Sequence, residues 1–326
     1  MTQQSRPWTR HGLLLPVKPS HGWWKSHAQS PTVLVISPRL WRIYFAARNA
    51  DNRSSILAVD VDPQDDMRVR AEHFDPMLAD GPRGTFDCNG LGPSCALVID
   101  GRVHLYYSGV QPRSDVRFQI AIGIAVSDDG LAFERKFAGP VRGIGPTDGY
   151  FVSTPFVCAI EGGYRMWYTS GTGWTQCNAE LEPTYVLRSC RSRDGLVWET
   201  CSSLVLPDDS NGRYSLTRAW ITPEADPVAP RGSLRLWYSR RGQDFRANGN
   251  ECYRLLSCRL DVRGDFAGDV QPVMFDKPPA TGDFDSWMQA YACVVRTASR
   301  EVMFYNGDEF GKSGIGWATR DAADSN

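Results

Sequence analysis

One strand pattern recurs five times along the chain, at a spacing that uses up its length. Five segments carry an aliphatic–aromatic signature: IYFAAR (43–48), LYYSGV (105–110), MWYTSG (166–171), LWYSRR (236–241) and MFYNGD (303–308). With Phe45, Tyr107, Tyr168, Tyr238 and Tyr305 as equivalents, the steps are 62, 61, 70 and 67 residues. A repeat architecture absorbs in one unit a length of 326 residues that would otherwise suggest two domains.

Each signature follows another strand-like run, usually opened by proline: SPTVLVI (30–36), GPSCALVI (92–99), STPFVCAI (153–160), ITPEADPV (221–228) and AYACVV (290–295). A third run comes after it: SSILAVDV, QIAIGIAVS, YVLRSCRS, YRLLSCRL and SGIGWATR. Twice that run ends in a matching turn, SDDGLAF (127–133) and SRDGLVW (192–198), in which Asp-Gly supplies a positive φ and an aromatic starts a fourth strand. The runs are short, β-branched and aromatic, with almost no helical periodicity. About four antiparallel strands per unit, repeated around an axis, predict an all-β chain forming a single five-bladed β-propeller over residues 1–326. The fifth unit lacks a fourth strand at its C-terminal end, and HGLLLPV (11–17) is expected to supply it and close the ring. The competing reading is a pair of β-sandwiches with coincidental spacing.

Composition limits the partners. Hydrophobic residues at 42% and aromatics at 11% support a sizeable core. A net charge of −1 and a pI near 6.5 lack the basic excess of a nucleic-acid binder, so a cationic site must be local. No apolar run reaches membrane-spanning length, and the first residues do not read as a secretory signal. Nine cysteines, with no C-x-x-C pair, read as reduced thiols in a cytoplasmic protein, and neither a zinc site nor a cofactor is expected.

In a propeller the innermost strand of each blade lines the central channel. The loop leading into it and the loop leaving the second strand open on one face. The polar residues leading in are His27, Asp87, Asp148, Arg218 and Asp285; those leaving are Arg48, Ser108, Ser170, Arg240 with Arg241, and Asn306 with Asp308 and Glu309. Asp87, Asp148 and Asp285 are candidate acid/base groups or turn caps. His27 is a proton-transfer or ligand-holding candidate, or bonds a neighbouring blade. Asp128 and Asp194, in the Asp-Gly turns, read as structural, Asp283 as a loop residue, and Tyr107, Tyr168, Tyr238 and Tyr305 as inter-blade packing. Arg48, Arg218, Arg240 and Arg241 either pair with the aspartates or hold an anion through the planar guanidinium fork. Trp23, Trp24, Trp174, Trp220 and Trp287 could stack on a sugar ring or simply pack. GDEFGKSGIG (307–316) lacks the order of a phosphate loop and reads as the turn between strands two and three of the last blade.

The elements FDCNGLGPSCALVIDGRVHLYYSG, IAIGIAVSDDGLAFER, YRMWYTSGTGW, LRLWYSRRG and FDSWMQAYACVV…VMFYNGDEFGKSGIGWA resemble the five-bladed propeller superfamily of arabinanases, β-xylosidases, levansucrases and invertases. The likeness is greatest to its bacterial members associated with surface-polysaccharide or glycoconjugate synthesis, and it covers essentially the whole chain. It implies carbohydrate chemistry by carboxylates near the axis: an aspartate base or nucleophile, a second aspartate, and a glutamate proton donor. The chain departs from that pattern. Its first blade offers His27 instead of an aspartate, its fourth carries Arg218, and Glu251 and Glu309 are tied to no motif.

The expectation is therefore an enzyme acting on a small sugar or sugar-like molecule with an anionic group, phosphorylated or nucleotide-linked, by hydrolysis, phosphorolysis or glycosyl transfer. Asp87, Asp285, Asp148 and His27 are the expected catalytic groups. Arg48, Arg218, Arg240, Arg241, Trp220 and Asn306 are the expected ligand contacts. The alternatives are a non-glycosidic biosynthetic reaction such as elimination or cyclisation, a non-catalytic carbohydrate-binding propeller, and a protein-interaction scaffold.

Overall fold

Alternating β-branched and aromatic residues broken by tight turns favour antiparallel meanders, and that is what the chain forms. A computed structural model describes residues 6–177, 180–200, 202–206, 213–224 and 229–322. After β1 (Thr9–Pro16), the first sheet comprises β2 (Ser26–Ser37), β3 (Leu40–Arg48), β4 (Ser54–Asp62) and β5 (Arg68–His73). The second comprises β6 (Gly90–Ile99), β7 (Arg102–Pro112), β8 (Phe118–Ser127) and β9 (Glu134–Arg135). The third comprises β10 (Val152–Ile160), β11 (Gly163–Cys177), β12 (Glu180–Ser192) and β13 (Ser203–Leu204). The fourth comprises β14 (Ser215–Pro223), β15 (Leu234–Arg241), β16 (Arg254–Leu260) and β17 (Gln271–Pro272). The fifth comprises β18 (Ala290–Arg296), β19 (Arg300–Asn306) and β20 (Gly314–Asp321), with β1 as its outer strand. The innermost strands touch in a closed order, β2 to β6, β10, β14, β18 and back to β2. The fold is an all-β propeller. Of the run 221–228, residues 225–228 lie outside the described residues.

The expected closure by the N-terminal segment holds, although the strand begins before the 11–17 run. β1 pairs antiparallel with β20 from Thr9↔Thr319 to Pro16↔Gly314. Trp8, 1% exposed, packs edge-on against Trp237 of the fourth sheet at 5.6 Å. The 307–316 segment is the β19–β20 connection, as its sequence suggests, and holds a short helical turn at Asp308–Gly311.

The two Asp-Gly turns are near copies. Asp194 Oδ1 accepts from the Leu196 and Val197 amides at 2.8 and 2.9 Å. The equivalent in the second sheet is Asp129, not Asp128: Asp129 Oδ1 accepts from Leu131 and Ala132 at 2.8 and 3.0 Å, while Asp128 is exposed and pairs with Arg102. Tyr44 and Tyr106 of the preceding sheets donate to the Gly130 and Gly195 carbonyls. The turns thus fix one blade against the next. The eight described cysteines are all unpaired thiols; Cys201 lies outside the described residues.

A bulge in each innermost strand sets the axis. Ser30, Thr154, Arg218 and Tyr291 there have φ of 56°, 47°, 59° and 60°. That left-handed region is costly for such residues, and each is held by its neighbour. Its amide donates to a second-strand side chain of the preceding blade: Ser30 to Asn306 Oδ1 (2.7 Å), Thr154 to Ser108 Oγ (2.9 Å), Arg218 to Thr169 Oγ1 (3.3 Å) and Tyr291 to Ser239 Oγ (2.8 Å). In the second sheet the equivalent bulge residue is Pro93, which has no amide hydrogen, and the preceding blade there presents Ala46, which has no acceptor. The exception keeps the rule, because donor and acceptor are absent together.

Removing residues 1–18 strips the fifth sheet of its outer strand and should lower the melting temperature by well over about 5 °C. An unchanged thermal transition would contradict this closure.

Candidate functional site

Asp87, Asp148 and Asp285 share one structural position. Each lies in the loop before an innermost strand and accepts the hydroxyl of the signature tyrosine twenty residues on: Tyr107 at 2.8 Å, Tyr168 at 2.9 Å and Tyr305 at 2.7 Å. Burial pushes the three phenols up, so they stay protonated and donate. An arginine closes each clamp: Arg135 on outer strand β9 for Asp87 (2.7 Å), Arg142 for Asp148, and Arg10 on outer strand β1 for Asp285 (3.4 Å). A Cβ on Gly109 would meet Asp87 Cβ at 2.5 Å, so the close approach of the Phe86–Asp87 segment requires glycine there.

The clamps correct the expectation that these aspartates meet at one mouth. Each is no more than 1% exposed. For Asp87 and Asp285 the arginine comes from the outermost strand, so these carboxylates tie inner loop to outer strand within separate blades. The physical reason is charge pairing: a buried carboxylate persists only with a cation and donors around it. Asp285 differs in one respect, since its Oδ1 has no hydrogen-bond partner and burial raises its pKa against the pull of Tyr305 and Arg10.

Arg218 is fully buried and crosses the axis from the fourth blade. Its guanidinium donates to Pro31 O at 2.7 Å, Thr32 Oγ1 at 2.8 Å and Pro93 O at 3.3 Å, on the innermost strands of the first and second blades. Desolvation pulls its pKa down to about 10, which leaves it charged at neutral pH, and among the described residues no carboxylate pairs with it.

Partly exposed residues of the same belt surround this plug: Gln29 and Ser30 of the first blade, Gly92 of the second, Thr154 of the third and Tyr291 of the fifth. Arg48 sits beside them, donating to Gln29 Oε1 at 2.9 Å and Asn52 Oδ1 at 3.0 Å, also with no carboxylate partner among the described residues. His27 adjoins Arg48. Burial, then Arg48 and Lys312, pull its imidazole down to about 4, so it is neutral at pH 7. This axial mouth is the candidate site: two guanidinium groups, a phenol, hydroxyls, an amide and a neutral imidazole. Gln29, Thr154 and Tyr291 were missed in the sequence, although Ser30 and Thr154 directly precede the prolines that open their strands.

The other expected contacts divide. Arg240 places its guanidinium carbon over Tyr214, 4.4 Å from the ring centroid. Arg241 is buried and donates to the Tyr185 and Tyr253 hydroxyls at 2.9 and 3.1 Å beneath an aromatic cap that includes Phe245. Asn306 is a latch, not a ligand contact: besides Ser30 it binds the Ala28 carbonyl at 2.7 Å. Trp220 is misplaced by the sequence reading. It sits two residues beyond the bulge, donates to Val294 O at 2.7 Å, and lines a cavity of about 510 Å³ with Val33, Val294 and Arg296 at the opposite end of the channel. Trp24 and Trp174 pack against phenylalanines, whereas Trp287 is 43% exposed. Among the described residues no three His, Cys, Asp or Glu side chains converge as metal ligands, and no helix is long and apolar enough to cross a membrane.

No protein-family model matches the chain. An uncharacterized protein of Mycobacterium tuberculosis strain H37Rv, Rv1502, is 30% identical over 311 residues, spanning 95% of this chain and 98% of its own. Its counterpart MT1551 in strain CDC 1551 aligns over the same extent at the same identity. Among solved structures, a glycoside hydrolase aligns with TM-score 0.68 at 14% identity, covering 95% of this chain and 91% of its own. A structure from the GH130 family of mannoside phosphorylases and glycoside hydrolases aligns with TM-score 0.64 at 12% identity, covering 98% and 96%. The GH43_1 enzyme of Xanthomonas citri, complexed with xylotriose, aligns with TM-score 0.60 at 15% identity, covering 95% and 89%. These likenesses show the propeller fold of glycoside hydrolases.

Two outcomes follow from the geometry. Asp87→Asn leaves Arg135 without its carboxylate and should cost about 1–3 kcal/mol in urea unfolding; wild-type stability would contradict the clamp. His27 binds its proton less tightly folded than unfolded, so stability should fall as pH drops from about 6.5 towards about 4. The His27→Gln protein should lose that part of the pH slope, and an unchanged slope would rule the depressed imidazole out.

Proposed function

We propose that this chain, which belongs to the family of the Mycobacterium tuberculosis protein Rv1502, is a carbohydrate-active enzyme that takes an anionic sugar substrate at the axial mouth, with phosphate as the reacting anion. The observation that carries this reading is the mouth itself. Arg48 and the plugging Arg218 supply positive charge there, and neither faces a carboxylate among the described residues.

Hydrolysis by a carboxylate pair needs two acidic groups flanking the scissile bond, about 5–10 Å apart. The three aspartates that could have served are each held by a tyrosine and an arginine in separate clamps. Phosphorolysis makes a smaller demand on the protein, because the nucleophile arrives already ionised. Monohydrogen phosphate forms the new bond to the anomeric carbon, the glycosidic C–O bond breaks, and the phosphate's proton passes to the departing oxygen. The balance closes without a protein base. What the protein must provide is a cationic cradle, orientation and donors to the sugar. Arg48 serves the first need. Gln29, Ser30 and Thr154 serve the second, and Tyr291, kept protonated by burial, donates at the leaving oxygen. The fold likeness to a structure from GH130, a family of mannoside phosphorylases that also contains glycoside hydrolases, supports this by analogy only. The lack of a carboxylate partner for Arg48 and Arg218 among the described residues also fits a second reading, a propeller that binds an anionic sugar without turning it over.

Calorimetry with inorganic phosphate tests the site. Phosphate should bind the wild type, and Arg48→Gln should weaken it by about tenfold or more while the melting temperature holds. Absence of binding, or binding indifferent to Arg48, would overturn the proposal. Phosphate release from sugar 1-phosphates in the presence of a neutral sugar acceptor separates the two readings: turnover supports the enzyme, and binding without turnover the non-catalytic propeller.

A further inference from the structure

The third blade breaks the repeat in one place. Its β11–β12 hairpin runs past the usual strand ends, with Thr175 paired to Glu182 and Gln176 to Leu181. The raised hairpin faces the loop that leaves β15, and a cavity of about 320 Å³ lies between them. Thr175, Gln176, Glu182 and Thr184 line it from the hairpin, Gln243 and Asp244 from the loop, and Arg241 closes its base.

The lining is chemically mixed. Glu182 is 5% exposed and is paired with Arg246 at 2.6 Å and Arg117 at 3.4 Å, so it brings acceptor lone pairs into the wall without a free negative charge. Asp244 is exposed and takes part in no ion pair among the described residues. Arg241 is saturated by neutral oxygens: the Tyr185 and Tyr253 hydroxyls, the Gly242 carbonyl at 3.0 Å and the Pro183 carbonyl. Its charge is therefore committed to the wall and leaves no fork open for an anion. The Asp244 carboxylate and the Thr175 hydroxyl, with the Thr184 hydroxyl that accepts from Thr172 at 2.9 Å beside them, suit closely spaced hydroxyl groups, which both donate and accept. The volume, near the low end of the roughly 300–1,000 Å³ range of ligand sites, holds one small ring.

The cavity lies one aromatic layer away from the axis. Arg241 binds the Tyr253 hydroxyl, and the Tyr253 ring lies 6.0 Å from that of Tyr291, the fifth-blade residue of the axial mouth. One aromatic wall thus separates two sites of opposite character. We infer that the β11–β12 cavity is a subsite for a neutral, hydroxyl-rich ring, the second sugar of a substrate whose anionic part lies at the axial mouth. This rests on the phosphate site proposed above for its second half, but the cavity is tested independently.

Ligand-observed NMR with a panel of neutral monosaccharides (glucose, mannose, galactose, xylose and arabinose) reads the cavity directly. At least one should give saturation transfer with the wild type. Asp244→Ala should reduce that sugar's affinity by about tenfold and leave phosphate affinity unchanged, whereas Arg48→Gln should do the reverse. Thr184→Val, which keeps the side-chain shape, guards against a folding defect in the first variant and should weaken the sugar as well. If no neutral sugar binds, or one binds equally to Asp244→Ala and Thr184→Val, the subsite is wrong even where phosphate still binds. If the sugar binds and responds to these variants while phosphate does not bind, the subsite stands and the phosphate reading falls.

Discussion

The axis of this propeller depends on a hydrogen bond that four of its blades make to the one before them. A bulge residue with positive φ offers its amide to the neighbouring blade, where an asparagine, serine or threonine on the preceding second strand accepts it. The unfavourable backbone conformation is offset locally, and the bulge turns its side chain toward the axis. Where the amide is missing at Pro93, so is the acceptor at Ala46. Arg218 can lie buried across the axis because the same device aims it at carbonyls of the first and second blades. A guanidinium surrounded only by neutral oxygens is expensive to bury, and here the closed ring of innermost strands holds it in place.

The polar residues separate into two systems. Three aspartates, three tyrosines and three arginines form clamps, those of Asp87 and Asp285 inside single blades and that of Asp148 joining the second blade to the third through Arg142, and they fix the loops that frame the channel. The axial belt is left with cations, phenol, amide and hydroxyl groups. The clamp carboxylates are thus committed to architecture, and Glu309, the carboxylate beside His27, is paired with Lys312 at 2.7 Å. That distribution favours a ligand that brings its own anion, and it distinguishes this site from one built on a carboxylate pair.

The repeat, the all-β fold and the closing N-terminal strand were legible in the sequence because they rest on local periodicity and on strand count. The site was legible only in part. An aspartate before a strand looks the same whether it caps a turn, reacts with substrate or pairs with an arginine. The partners that decide for Asp87 and Asp285, Arg135 and Arg10, come from outer strands distant in sequence. One clue was present: three aspartates each stand twenty residues before a signature tyrosine, at 87 and 107, 148 and 168, 285 and 305. A spacing repeated with the blades points to the scaffold, since a catalytic group need occur only once. Trp220 faces the other end because the bulge formed by Arg218 and Ala219, invisible in composition, precedes it. For Arg218 the sequence offered a carboxylate or an anion as partner, and the structure supplies a third kind, the carbonyl and hydroxyl oxygens of neighbouring blades.

The central claim is that the reacting anion sits at the axial mouth, and a crystal structure of the protein soaked with a sugar 1-phosphate addresses it most directly. The account predicts the phosphate against Arg48 and the Ser30–Thr154–Tyr291 belt, above Arg218, with Asp87, Asp148 and Asp285 still in their clamps. A sugar phosphate bound at any of those aspartates, with its clamp opened, would contradict it.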